Sequence, residues 1–206
     1  MVRLDLADRG VTDRRVLAAM QHLPREAFVP ADYAALAYAD RPLSIGAGQT
    51  ISQPYMVALM SEVARITRRS RVLEVGTGSG YHAAVLARLA CHVWTVERIP
   101  ELAAAAARRL TALGIHNVTV VVADGSRGYA PAAPYDAIVV AAAAPAVPPL
   151  LPEQLAPGGR LVIPVGSPEH QQLLVMERTP DGPATRAVCG CVFVPLVSGP
   201  PDSRAT

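Results

Sequence analysis

Between residues 71 and 166 the apolar positions fall in short unbroken runs, separated by stretches with helical spacing. Arg71 to Val75, His92 to Glu97, Val118 to Ala123, Tyr135 to Ala141 and Arg160 to Val165 read as strands, rich in branched residues. Tyr81 to Ala90 and Glu101 to Leu113 read as helices, and Leu150 to Ala156 as a short one closed by Pro157-Gly158-Gly159. Pro100 stands where a proline opens a helix, and Gly114 where a glycine closes one. Strands alternating with helices predict βαβ units. The strand runs are continuous rather than alternating, as expected where both faces of a sheet are covered. The expected fold is α/β: a doubly wound, mostly parallel sheet with helices on both faces. In such sheets ligands sit beyond the carboxyl ends of the strands, so the turns after 75, 97, 123 and 141 are where chemistry is expected.

The flanks have a different texture. Residues 1–70 are mixed and punctuated by proline, with helical spacing of Val16, Leu17 and Met20. They predict an N-terminal helical extension of the same domain. Residues 167–206 hold two further apolar runs and a polar, proline-rich end, of which Gly199 to Thr206 is expected to be loose. The three stretches, 1–70, 71–166 and 167–206, are read as one domain.

The chain has 206 residues, 51% hydrophobic and 17% charged, which excludes bulk disorder. Its net charge of +2 and its 4% aromatic content give no platform for nucleic acid. All 19 basic residues are arginine, and the densest group, Arg68, Arg69 and Arg71, reads as a solvated element end. Cys91, Cys189 and Cys191 make no disulfide framework and suit a reducing compartment. Cys189-Gly-Cys191 lacks a matching Cys/His pair, so no metal is expected. The N-terminus carries acidic residues and no apolar core, unlike a signal peptide. The longest apolar run, 137–151, is broken by Pro145, Pro148 and Pro149. A cytoplasmic protein without membrane contact is expected.

The turn after the first strand of the middle region is E-V-G-T-G-S-G, Glu74 to Gly80. Glycines at 76, 78 and 80 allow a tight turn, and the helix behind them offers backbone N–H groups to an anion. The spacing misses the dinucleotide pattern G-x-G-x-x-G, and the absence of lysine excludes a phosphate-binding P-loop. An acid directly before the glycines suits a ligand with an ammonium group, so S-adenosylmethionine fits better than NAD. Glu97, ending the second strand of this region, can accept from ribose hydroxyls. Asp124-Gly125, after the third, can meet an adenine amino group and ring edge.

The chain resembles the protein-L-isoaspartate O-methyltransferases, of bacterial length. The resemblance is carried by R-G-V-T-D-R-R-V-L-A-A-M (9–20), P-R-E-A-F-V-P (24–30), G-Q-T-I-S-Q-P-Y-M-V-A (48–58), V-L-E-V-G-T-G-S-G-Y (72–81), A-D-G (123–125), A-P-Y-D-A-I-V-V (133–140), L-A-P-G-G-R-L-V-I-P-V-G (155–166) and F-V-P-L (193–196). The glycine turn is shared by many methyltransferases; Q-T-I-S-Q-P is far more specific. The resemblance implies methyl transfer from S-adenosylmethionine to the free α-carboxylate of L-isoaspartyl residues in damaged proteins and peptides, starting repair through a succinimide. It implies Ser52 as the catalytic residue, with Thr50, Ile51 and Gln53 in the same lip. Glu74, Val75, Gly76, Thr77, Gly78, Ser79, Gly80, Glu97, Asp124 and Gly125 match the cofactor contacts, with Thr50, Ile51 and Ser52. Gln53 and a last strand near Cys191 to Val194, including Val192, Phe193 and Val194, match the peptide-binding segment.

Independently, a carboxylate of ordinary acidity is ionised at neutral pH and needs no general base, and no His/Asp or Cys/His constellation stands out. Two residues depart from the family pattern: Ala141 replaces a common threonine, and Val197 replaces a hydroxyl residue, with Ser198 next. His82 follows Tyr81 where glutamine is frequent; His22, His92, His116 and His170 read as surface or packing residues. The competing expectations are a related carboxyl methyltransferase acting on aspartate of a dedicated ribosomally made peptide, and a nucleotide-fold binding module without turnover. A monomer is expected.

Overall fold

The computed structural model describes residues 1–200; the expectation for 201–206 lies outside the described residues. Chain order begins with short helical turns at Val2–Leu6 and Ala7–Arg9, then helix α1 (Arg14–His22), turns at Arg25–Phe28 and Ala31–Leu36, a hairpin of β1 (Leu43–Gly46) and β2 (Gln49–Ile51), and α2 (Pro54–Val63). The central region follows: β3 (Arg71–Val75), α3 (Tyr81–Leu89), β4 (His92–Glu97), α4 (Pro100–Ala112), β5 (Val118–Val122), β6 (Tyr135–Val140), α5 (Leu150–Glu153) and β7 (Leu155–Gly166). β8 (Gln171–Thr179) and β9 (Gly182–Cys191) complete it.

β3 to β9 form a seven-stranded sheet in the order β5-β4-β3-β6-β7-β8-β9. The pairs from β5 to β7 are parallel; β8 runs antiparallel to both of its neighbours. The chain winds outward from β3 to β5, then crosses back to β6 on the other side of β3. The order therefore reverses between β3 and β6, and the crevice outside their carboxyl ends is the switch point.

Alternate strand residues feed opposite cores, because successive side chains point to opposite faces. Val72, Ala137, Val139 and Val162 join residues of α1, α2 and α3, with Leu110 of α4. Leu73, Val75, Ile138, Val140, Leu161 and Ile163 join Leu151 of α5 and the turn residue Ala132. Helices thus lie on both faces, but the second face is covered mainly by short pieces. α5 is four residues, because Pro152 and the early start of β7 leave no room for the longer helix read from sequence.

The N-terminal stretch is tied down by exposed and half-buried polar contacts. The Asp13 side chain caps α1 by accepting from the Arg15 N–H at 2.8 Å. Glu62 of α2 accepts from the Thr12 and Asp13 N–H groups at 2.7 and 2.6 Å. The hairpin β1–β2 was not legible as strand: its strands are four and three residues long, too short for a period-2 pattern to stand out. No helix among the described residues is long and apolar enough to cross a membrane.

Candidate functional site

A cleft with room for about 100 Å³ of enclosed water-sized space, open to solvent on one side, lies at the switch point. Its lining is drawn from the hairpin (Gln49 to Ser52), the glycine turn (Val75 to Ser79), the start of α3 (Tyr81, His82), the end of β4 (Val96 to Ile99), Gly125, Ala141 and Ala142, and the segment Val194 to Val197. Thr50, Ile51, Ser52, Val75, Gly76, Thr77, Gly78, Ser79, Glu97, Gly125 and Val194 are thus brought together as the sequence suggests. Glu74, Gly80, Asp124, Gln53, Val192 and Phe193 do not line it.

The glycine turn is more committed than its sequence implies. The Gly76 and Thr77 N–H groups both donate to the Val96 carbonyl, at 2.9 and 3.3 Å. The Gly78 N–H donates to Glu97 Oε2 at 2.9 Å, and the Ile99 N–H to Glu97 Oε1 at 3.0 Å. The amides of Gly76, Thr77 and Gly78 are therefore not open to an anion; that of Ser79 and those of His82 and Ala83, in the first turn of α3, remain to receive one. Each Glu97 oxygen keeps a lone pair for a further donor. Gly76 and Gly78 have φ of +93° and +50°, which an L side chain rarely adopts. Gly80 shares that conformation, with φ of +87°, and a Cβ there would also stand 3.2 Å from Ala106 Cβ of α4. Gly125 is fixed by a closer approach, since its Cβ would lie 2.5 Å from Val75 Cγ1.

Glu74 departs most from its sequence reading. It stands inside β3, one residue before its end, and is fully buried. Oε2 accepts from the Thr95 hydroxyl, which is itself 2.7 Å from the Thr77 hydroxyl. Oε1 has no hydrogen-bond partner and lies 3.9 Å from His82 Nδ1. Burial pushes the Glu74 carboxyl up to about 8, helped by the nearby Glu97 charge and opposed by the Thr95 hydrogen bond. Burial pushes His82 down to about 4. At neutral pH both are mainly uncharged, so the expectation of a carboxylate facing a ligand ammonium does not hold at Glu74. Its side chain supports the turn from beneath.

Asp124 is likewise occupied. Oδ1 accepts from the Ser126 N–H at 3.0 Å and its hydroxyl at 2.7 Å, and Oδ2 from the Gly199 N–H at 2.8 Å. Although partial burial opposes it, these hydrogen bonds hold the carboxyl below its usual range. Gly199 and Pro200 are therefore held, contrary to the expected looseness of 199–200: Asp124 holds the first, and Arg98 Nη2 donates to the Pro200 carbonyl at 3.3 Å.

The segment after β9 is not the strand read at Cys191 to Val194; β9 ends at Cys191. The side chain of Gln171 takes both backbone groups of Phe193, accepting from its N–H at 2.7 Å and donating to its carbonyl at 3.2 Å. The Val194 carbonyl accepts from the Ala143 N–H at 2.8 Å, and the Leu196 N–H donates to the Ala143 carbonyl at 2.7 Å. The segment forms a strap across the sheet end, and Val192 projects from it with 82% exposure.

Ser52 is half-buried between β2 and α2, and its carbonyl accepts from Arg25 Nη2 at 2.8 Å. Gln53 is the residue before α2, its carbonyl accepting from the Met56 and Val57 N–H groups at 3.1 and 3.3 Å. Sequence reasoning missed Tyr81, His82, Gln49 and Arg25. The first two adjoin the glycine turn and were in plain view; Arg25 gave no signal beyond lying in P-R-E-A-F-V-P. His22, His116 and His170 are exposed, and His92 packs on Trp94 with ring centroids 4.3 Å apart. Among the described residues no group of three or more His, Cys, Asp or Glu could hold a metal ion.

Comparison with known proteins follows the same lines. The family model described as Protein-L-isoaspartate(D-aspartate) O-methyltransferase matches residues 2–200. A protein-L-isoaspartate O-methyltransferase from Methanoculleus marisnigri is 52% identical over 197 residues, 96% of this chain and 90% of that protein. Protein-L-isoaspartate O-methyltransferase 2 from Marinobacter nauticus is 56% identical over 199 residues, 96% of this chain and 91% of its own. A solved protein-L-isoaspartate O-methyltransferase superposes with a TM-score of 0.87 at 30% identity, over 97% of this chain and 66% of that one. A Plasmodium falciparum chain assigned the same activity, in complex with S-adenosyl-L-homocysteine, gives a TM-score of 0.82 at 25% identity over 96% of this chain and 97% of that one.

Proposed function

The chain belongs to the protein-L-isoaspartate(D-aspartate) O-methyltransferase family, and from that premise we propose how its cleft serves the reaction. It transfers a methyl group from S-adenosylmethionine to the free α-carboxylate of L-isoaspartyl residues in damaged proteins and peptides. The observation that carries this reading is the meeting of the glycine turn and the Gln49–Ser52 lip in one cleft.

The residues present fit the methyl donor. The first turn of α3 offers N–H groups and a positive dipole end to its carboxylate. Glu97, anchored by two backbone amides, accepts from ribose hydroxyls. Gly125 lines the cleft where the adenine can lie, with Asp124 next to it in the chain. Bound there, S-adenosylmethionine supplies a sulfonium-activated methyl group, the C–S electron pair leaving with sulfur as the new C–O bond forms.

The acceptor carboxylate has an ordinary pKa and arrives ionised, so no side chain needs to remove a proton. The protein contributes placement and exclusion of water. Ser52 donates its hydroxyl to the carboxylate and orients one oxygen in line with the methyl carbon. Thr50 and Ile51 shape the lip, and Gln53 fixes the α2 start behind it. Val192 and Val194 present the strap to the peptide, whose backbone pairing at Phe193 is precluded by Gln171. Residues 1–70, 71–166 and 167–206 act as one catalytic domain, a monomer working in the cytoplasm.

The test is methyl transfer from labelled S-adenosylmethionine to a matched pair of peptides, one isoaspartyl and one aspartyl. Transfer to the isoaspartyl peptide alone is expected. Transfer to neither, with S-adenosylhomocysteine still bound, overturns the repair reading in favour of a dedicated peptide acceptor.

A further inference from the structure

Behind the acceptor side of the cleft lies a cation that this mechanism does not use. Arg25 has no exposed surface. Its Nε donates to the Ala37 carbonyl at 2.7 Å and its Nη2 to the Ser52 carbonyl at 2.8 Å. Nη1 is buried without a hydrogen-bond partner, and so is the Tyr81 hydroxyl. The guanidinium carbon stands 4.6 Å from the Tyr81 ring centroid, over its face. Ser52 and Tyr81 both line the cleft, so one side chain grips two cleft residues from behind. Among the described residues no carboxylate touches it; the Asp40 carboxylate, itself paired with Arg9, acts on it from beyond ion-pair distance.

Two carbonyls need only two neutral donors, which a glutamine amide supplies without burying a charge. A buried cation with no carboxylate in direct contact is costly, and burial does lower the Arg25 pKa, opposed by Tyr81 and by the more distant Asp40 charge. Arginine nevertheless keeps its proton. The two carbonyl hydrogen bonds therefore do not require the charge, which beyond them meets only the Tyr81 ring and the distant Asp40. In a low-dielectric wall its field reaches further than it would in water.

Resting on the methyltransferase reading above, we propose that Arg25 is the positioning residue of the methyl-acceptor subsite. It fixes the Ser52 backbone and the Tyr81 ring, and it gives the subsite a positive potential that selects a free carboxylate over its neutral amide.

The experiment uses the full chain and compares wild type, Arg25→Met and Arg25→Lys. Steady-state transfer to an isoaspartyl peptide is measured beside calorimetric binding of S-adenosylhomocysteine and thermal unfolding. In folded Arg25→Met, KM for the peptide is expected to rise about tenfold or more, with cofactor affinity changed less than about threefold. Arg25→Lys is expected to recover most of the loss, as restored charge does and restored shape does not. An unchanged peptide KM, an equal loss of cofactor affinity, or Arg25→Lys no better than Arg25→Met overturns the proposal. Should both variants fail to fold, wild type bound to S-adenosylhomocysteine decides it. It is expected to bind an isoaspartyl peptide about tenfold or more tightly than the peptide with an α-carboxamide, and equal binding refutes it. Wild type inactive on the isoaspartyl peptide would instead refute the function itself.

Discussion

The two walls of the cleft are built differently. The donor wall, Gly76 to Ser79 with Glu97 and Gly125, comes from the ends of consecutive strands β3, β4 and β5. Its defining hydrogen bonds join residues about a strand and a helix apart, such as Gly78 to Glu97. The acceptor wall gathers Ser52, Tyr81 and Val194 to Val197 from three distant segments. It is held by remote ties: Arg25 to Ser52, Gln171 to Phe193, and Asp124 to Gly199. A wall made by one βαβαβ unit follows from that unit's geometry. A wall assembled from remote segments depends on a few buried polar contacts, and losing one should impair the acceptor step while sparing the donor.

The largest effect is expected at Ser52, on the acceptor wall. Ser52→Ala should lower kcat for an isoaspartyl peptide by roughly 10- to 100-fold through lost orientation, while S-adenosylhomocysteine affinity changes little. Unchanged turnover would remove Ser52 from the acceptor wall.

The reciprocal change is Gly125→Ala on the donor wall. Its Cβ would fall 2.5 Å from Val75 Cγ1, so β3 or the turn must shift. A stability loss of about 1–3 kcal/mol is expected, with weakened S-adenosylhomocysteine binding by calorimetry and little change in peptide KM. A larger effect on the peptide than on the cofactor would break the distinction between the walls.

A third change probes the floor shared by both. The folded value of Glu74, about 8, lies above its ordinary 4.5. Its contribution is full below about pH 4.5 and is lost as pH rises through 8. His82, at about 4 against 6.5, contributes fully above about pH 6.5 and loses this as pH falls through 4. The two oppose each other from pH 4.5 to 6.5; between 6.5 and 8 Glu74 acts alone of the pair. Wild type should lose up to about 1.4 kcal/mol per pH unit there through Glu74. Thermal unfolding from pH 6.5 to 8 should show that Glu74→Gln removes this slope. The same slope in the variant would exclude Glu74 as its source.

The smallest effect is expected at Ala141, whose Cβ lies 3.5 Å from where a Gly76 Cβ would stand. Ala141→Thr places a hydroxyl at the donor wall and should tighten S-adenosylhomocysteine binding by about fivefold, the worth of one modest hydrogen bond. Weaker binding would mean that the smaller residue suits this cleft.

The sequence by itself determined the parallel core of the sheet, β3 to β7, the helices α3 and α4, and the location of the cleft. Branched runs, Pro100, Gly114 and the glycine turn act through backbone preferences and local periodicity, which need no knowledge of distant residues. Arg71–Val75 and His92–Glu97 match their strands end to end for that reason. Tertiary structure alone decided which groups are available. It consumed the turn amides on Val96 and Glu97, buried Glu74 into neutrality, drew Gly199 onto Asp124, and set Arg25 behind Ser52. Those outcomes depend on desolvation and on contacts between segments far apart in the chain, and neither is encoded in any one stretch of residues.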